Sequence, residues 1–385
     1  MESERTSLME LARHFFRLGL IAFGGPAAHI AMMEDEFVTR RQWLSREHFL
    51  DLVGATNLIP GPNSTEMTMH IGYERAGWPG LFVAGASFIF PAAVLTGLLA
   101  WLYVTYGTLP AVEPFLYGIK PAVISVILGA IWKLGGKAVK DWRFAVLGVA
   151  VAASVLLGLN EIQALFAGGF LGMVWFRAPG SAARGAFLPL LPQDSTAVAA
   201  GSAAAGVAAG VSLTQLGLYF LKIGAILYGS GYVLIAFLEG GLVDDLGWIS
   251  RSQLLDAIAM GQFTPGPVLT TATFLGYVIS GAPGAVVATL GIFLPSFIFV
   301  LILNPIIPKL RRSPWTAAFL DAVNVAAIAL MAAVVVQLGM ETLVSWRSVV
   351  IAAAAAVLVV RYKTNAAWIV LGGAVAGWLL LHIGG

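Results

Sequence analysis

"NLIPGPNSTEMTMHIGY" occupies residues 57–73, and "QFTPGPVLTTATFLGY" occupies residues 262–277. Each places Pro-Gly-Pro inside an apolar stretch. Proline removes a backbone donor, and glycine costs about 1 kcal/mol in a helix interior, so Pro-x-Pro ends one helix and begins another. Such a break is tolerated at membrane depth only where protein buries it or where it lines a wet cavity. The reading of this pair decides the fold.

The surroundings are those of a membrane protein. The 385 residues are 59% hydrophobic and 11% charged, with a mean hydropathy of +0.87. A soluble surface needs about 25% charged residues, so the lipid bilayer is the expected solvent partner. A net charge of +2 and the lack of a basic cluster give no reason to expect nucleic acid. No Cys is present, which excludes disulfides and thiolate chemistry. The N-terminal "MESERTSLMELARHFF" lacks the pattern of a cleaved signal peptide.

The chain reads as two copies of one unit. At a constant offset of 205 residues, Arg17 falls on Lys222, Gly24 on Gly229, Glu34 on Glu239, "WLSR" (43–46) on "WISR" (248–251), Asp51 on Asp256, and Thr65 on Thr270. No gap is needed from Arg17 to Thr65. An internal duplication follows, with repeats at 1–176 and 215–385 joined by a linker at 177–214.

Loop charges give the relative orientation. The loop at 34–48 carries Arg40, Arg41 and Arg46, whereas its copy has Arg251 beside Asp244 and Asp245. The loop at 107–114 has no base, whereas 305–314 carries Lys309, Arg311 and Arg312. Each matched pair reverses its bias, as an inverted-topology repeat requires. If 34–48 is cytoplasmic and 107–114 external, only one of the two intervening apolar segments crosses. The long uncharged segment at 80–106 must, so the Pro-Gly-Pro segment is re-entrant. The expected architecture is all-α and polytopic, with about ten transmembrane helices, two re-entrant Pro-Gly-Pro hairpins and both termini outside. The first segment of each half could itself be broken, at "FGGP" (23–26) and at Gly229.

A helix that restarts at Pro62 or Pro267 exposes its first N–H groups, which attract anions. The candidate substrate-binding residues are therefore Asn57, Pro60, Gly61, Pro62, Asn63, Ser64 and Thr65, with Gln262, Thr264, Pro265, Gly266, Pro267, Thr270 and Thr271 in the copy. Gly24, Gly25 and Gly229 mark the first-segment breaks. Arg17, Lys222 and Lys120 are the candidate cations, and Asn324 lies, like Lys120, in the fourth segment of its half, where both could face one cavity. Ionisable residues within spans are functional candidates, although Arg17 and Lys222 lie close enough to segment ends to snorkel. Glu66, where the copy has Thr271, is the candidate for proton coupling; pairing with Arg75 or His70 is the alternative. His29 and His70 are isolated. No metal-ligand spacing, catalytic triad, P-loop or dinucleotide fingerprint is present, so no cofactor and no enzymatic activity are expected.

"FGGP", "LVGATNLIPGPNSTEMTMHIGYERAGWPG" (52–80) and "AMGQFTPGPVLTTATFLGYVISGAPG" (259–284) resemble the signature of the chromate transporter family, in its long two-domain form. The resemblance implies chromate export across the bacterial inner membrane, resistance to chromate, and competition by sulfate, its tetrahedral analogue. It also points to Gly24, Gly25, Pro26, Pro60, Gly61, Pro62, Asn63, Pro265, Gly266 and Pro267, while "GSG" replaces "GGP" in the second half. A homodimer is carried as a candidate assembly. The rival readings are a sulfate or other oxyanion transporter, an anion channel of the same fold, a membrane chromate reductase and a membrane scaffold.

Overall fold

The computed structural model describes residues 6–177, 211–228, 231–303 and 313–383. Most of the 177–214 linker, Gly229, and the bases at 309, 311 and 312 lie outside these residues. The first half runs α1 (Leu8–Ile21), α2 (Pro26–Glu34), a π-helical turn (Asp35–Arg40), α3 (Arg46–Thr56), α4 (Asn63–Tyr106), α5 (Glu113–Ala138), α6 (Trp142–Leu156) and α7 (Glu161–Arg177). The second runs α8 (Leu213–Ile226), α9 (Leu234–Leu238), a π-helical turn (Glu239–Asp245), α10 (Arg251–Phe263), α11 (Thr271–Leu303), α12 (Pro314–Thr342), α13 (Trp346–Val360) and α14 (Ala366–Ile383). No strand occurs among the described residues.

The duplication extends to local detail. Ser45 caps α3 by accepting from the His48 amide, and Ser250 caps α10 by accepting from the Gln253 amide, each at 3.2 Å. Arg46 pairs with Glu34 at 3.2 Å, and their copies Arg251 and Glu239 pair at 2.7 Å. Both halves put a π-helical turn just before this cap.

The first apolar segment of each half is not one helix. In the first half it breaks after Ile21, and Pro26 restarts it at the first position of α2, with Gly24 and Gly25 at positive φ. In the second half it breaks after Ile226. Among the described residues, four helices are each long and apolar enough to cross a bilayer: Asn63–Tyr106, Glu113–Ala138, Val268–Leu303 and Pro314–Thr342. Shorter apolar helices include α6, α8, α13 and α14.

Each Pro-Gly-Pro is the tip of a helical hairpin. One arm is α3, and the other is the start of α4. That second arm ends at Ala76–Gly77, where Gly77 takes φ +66°. There the chain doubles back so sharply that the Gly72 and Gly80 backbones meet, with no room for a side chain on either. Ser280–Gly281 repeats the turn, with Gly281 at φ +64° and Gly276 against Gly284. These turns lie 204 residues apart rather than 205, so the second half has lost one residue after its tip. Val268–Thr270 absorbs the loss as a 3₁₀ turn where the first half is α-helical from Asn63; the tighter helix uses fewer residues per turn.

The halves are interlaced. Helices α1 and α8 pack on α4 and α11 of their own halves, and α4 packs on α11. Beyond that, α5 packs on α13 and α14 of the second half, while α12 packs on α6 and α7 of the first. Small residues permit the close crossings: Gly118 meets the backbone at Gly373 and Gly377, and Gly168 and Gly172 meet Ala326 and Ala322.

Candidate functional site

Each hairpin tip is bonded to the first-segment break of the opposite half. The Gly61 amide donates to the Leu227 carbonyl at 2.6 Å, and the Gly266 amide donates to the Ala22 carbonyl at 2.8 Å. Ala22 and Leu227 are the C-caps of α1 and α8, where carbonyls lack intrahelical donors. The two pairs match at the 205-residue offset. Gly61 and Gly266 take φ +143° and +92°, which favours glycine. Gly61 rests against Ser296 of α11, and Gly266 against Ala92 of α4.

The surroundings of the two tips differ in chemistry. At the first tip, Thr65, Glu66 and Ser296 are fully buried. The Glu66 carboxylate and the Ser296 hydroxyl both crowd Gly61 and lie side by side, yet neither makes a well-aligned hydrogen bond. Glu66 does not pair with Arg75, which instead donates to Thr6 at 2.8 Å and lies over Trp43. At the second tip, Thr96 of α4 donates to Thr270 at 3.2 Å, with Thr264 at 3.4 Å. Thr270 and Thr264 in turn donate to the Pro267 and Gly261 carbonyls. Thr271, aligned with Glu66 by sequence, donates to the Val268 carbonyl and rests against Gly261 of α10. It does not take the place that Glu66 takes at its own tip, because the lost residue shifts the register.

The first-segment breaks complete the site. Gly25 faces the Tyr232 hydroxyl, which donates to Gln262 at 3.2 Å, and Gly24 faces the Asn365 amide. Buried His29 donates from Nε2 to the same Ala22 carbonyl that holds Gly266, at 2.9 Å. A carbonyl can only accept, so this assigns the proton to Nε2. Ser64 is buried in the first turn after Pro62, and Asn63 donates to Asn57 at 2.7 Å. Sequence reading missed Thr96, Ser296, Tyr232 and Asn365. Each meets at least one residue of the opposite half: Thr96 meets Thr270, Ser296 meets Gly61, Tyr232 meets Gly25 and Asn365 meets Gly24.

The cations are placed differently from one another. Arg17 is exposed, lining a surface cavity of about 790 Å³ with Arg13, His14 and Arg41. Lys222 is also exposed on α8. Neither belongs to the tip clusters. Lys120 lies between the halves: it donates to Ser252 at 2.6 Å and stands 3.9 Å from Asp256, both on α10. Asn324, at the matching position in α12, is half-buried.

Access to the two hairpins is unequal. Helix α10 is enclosed by α5, α11, α14 and α4, and Leu255, Asp256 and Gln262 are 3%, 1% and 8% exposed. Helix α3 packs on α2 and α4 of its own half, and the matching Leu50, Asp51 and Asn57 are all exposed.

These features define an all-α membrane protein built from a duplicated unit, with the two copies joined at crossed helix breaks. The chain belongs to the chromate transporter family, which matches residues 9–173 and again 214–378. It is 32% identical to a chromate transport protein of Cupriavidus metallidurans over 98% of this chain and 94% of that one. It is 31% identical to a chromate transport protein of Pseudomonas aeruginosa over 97% of this chain and 92% of that one. An uncharacterized transporter of Bacillus subtilis, YwrA, is 29% identical over 149 residues, which are 39% of this chain and 83% of that one. No solved structure matches.

Proposed function

We propose that the protein is a secondary transporter that exports chromate across the bacterial inner membrane by alternating access, with sulfate as the competing analogue. The Pro-Gly-Pro hairpins are re-entrant from opposite sides, and the crossed tips form the anion site. Family membership and the names of the relatives support the substrate. The unequal burial of the two hairpins carries the mechanism. One sequence unit occurs twice, yet its hairpin is open in the first half and sealed in the second. Inverted repeats in two such arrangements are what alternating access exchanges. By the loop charges α3 faces the cytoplasm, so the described state is open inward. An oxyanion would enter past Asn57 and Asn63 and meet the first-turn amides of α4.

The absence of Cys allows a direct test. Single Cys residues placed at Asn57 and Gln262 report the two routes in membrane vesicles of known sidedness. Asn57→Cys should react with a polar maleimide from the cytoplasmic side, and Gln262→Cys should be protected until turnover exposes it from outside. In everted vesicles the parent should accumulate chromate, with sulfate competing. Cytoplasmic labelling of both positions at equal rates, or no chromate accumulation by folded protein, would overturn the reading.

A further inference from the structure

Asp256 is 1% exposed on α10, in the sealed hairpin. Its Oδ2 accepts from the Tyr103 hydroxyl at 2.9 Å and lies 3.9 Å from the Lys120 ammonium. Its Oδ1 is buried with no hydrogen-bond partner. The cluster therefore joins a hairpin of the second half to α4 and α5 of the first. It stands between the second tip and the end of the hairpin at Arg251, on the closed route.

Among the described residues, Asp256 has no second counter-ion. Besides Lys120, α5 carries Tyr117, which is bonded to Ser345. Tyr277 on α11 and His382 on α14 make no bond to Asp256. Of the acids in the nearby π turn, Glu239 and Asp244 are held by Arg251, and Asp245 accepts from Asn160 at 3.4 Å. At the matching place in the first half Asn324 replaces the lysine and Asp51 is exposed.

We infer that Lys120 and Asp256 form a coupling site: the oxyanion displaces Asp256 as the partner of Lys120, and Asp256 takes a proton from water as it loses that partner. One proton and one oxyanion are then bound together. This rests on the oxyanion-transporter reading above. A buried carboxylate persists in its charged form only while paired, and a dianion arriving beside it adds like charge that favours protonation. Lys120 is suited to the exchange. It is half-buried on a flexible stem, and its present partners are a hydroxyl and a carboxylate 3.9 Å away rather than a tight bidentate pair. When the ammonium leaves, neutral Asp256 still bonds Tyr103, so no isolated charge remains in the sealed hairpin.

The test is calorimetric titration of the full chain in lipid nanodiscs with sulfate, in two buffers of different ionisation enthalpy. At a pH where free Asp256 is ionised, the parent should take up about one proton per sulfate bound, and Asp256→Asn should bind sulfate with about zero proton uptake. The amide keeps an acceptor for Tyr103, so the variant should fold. Sulfate affinity should fall by up to about tenfold per pH unit in the parent and become flat with pH in Asp256→Asn. Lys120→Gln should weaken sulfate binding, and Lys120→Gln with Asp256→Asn, which leaves no lone charge, should be as weak and pH-independent. Sulfate binding with equal proton uptake in the parent and Asp256→Asn, or with none in the parent, would overturn the coupling site alone. Folded parent that binds neither sulfate nor chromate would overturn the transporter reading, and the coupling site with it.

Discussion

The amide of Gly61 and the carbonyl of Leu227, 2.6 Å apart, tie a hairpin tip of one repeat to the helix break of the other. Gly266 and Ala22 repeat the bond in reverse. A side chain at either glycine is excluded twice, by the positive φ and by contact: a Cβ on Gly61 would collide with Glu66 and Ser296, and one on Gly266 would press on Ala92 at 2.7 Å. Gly61→Ala and Gly266→Ala should each destabilise the protein by about 2 kcal/mol. Each should also abolish transport, because the bond it breaks joins the two repeats. Thermal unfolding of purified protein and chromate accumulation in everted vesicles check the two effects. Full activity in either variant would show that the tip geometry is dispensable.

Thr96 tests whether the second tip contacts the anion. Its hydroxyl donates to Thr270 and Thr264, whose own protons go to backbone carbonyls. Thr96→Val removes the hydroxyl at nearly constant volume, so stability should fall by only about 1 kcal/mol. The KM for chromate should rise while the amount of folded protein stays level. Ser296→Ala, at the first tip, is the matched comparison. An unchanged KM for both would move the anion away from the tips.

The duplication and the helix breaks at Pro-Gly-Pro with their glycines were legible because they depend on local rules: Pro-Gly-Pro breaks a helix wherever it falls, and the copies share one register. The broken first segment was foreshadowed by "FGGP". Thr96, Ser296, Tyr232 and Asn365 were not legible, since each meets a residue of the other repeat only through the crossing of repeats. Loop charges and residue type could not reveal that Arg17 and Lys222 lie on exposed helix faces, because a cation within an apolar segment reads the same whether it turns inward or outward. Glu66, whose carboxylate lies beside the Ser296 hydroxyl, is a similar case. Its candidate partners lay near in sequence, but the sharp turn at Ala76–Gly77 leaves Arg75 with Thr6 and Trp43 instead.

Glu161, at the start of α7, gives a pH-dependent stability. Burial, aided by the charges of Asp245, Glu239 and Asp244, pushes its carboxyl up from the ordinary 4.5 to about 7. The folded state therefore holds this proton more tightly than the unfolded chain does. The sign follows: stability from this group is present below about pH 4.5 and is lost as pH rises toward 7. Glu161→Gln should flatten that part of the profile and leave the protein more stable at pH 8 than the parent. Unfolding midpoints measured from pH 5 to pH 8 decide it, and parallel profiles would place the pH response elsewhere.

The interlacing of repeats makes a prediction about cutting the chain. Helices α13 and α14 complete the packing of α5, and α6 and α7 complete that of α12. A half expressed alone leaves those faces uncovered and its glycine tip without its carbonyl partner. Residues 1–177 and residues 211–385, expressed separately, should each be degraded or self-associate, since each has lost its complementary surface. Expressed together, they should assemble and restore chromate accumulation, because no described contact depends on the peptide connection between them. The 149-residue match to the Bacillus subtilis transporter covers most of that protein with about one repeat. Stable, active monomers of either half would show that the crossing between repeats is not required for the site.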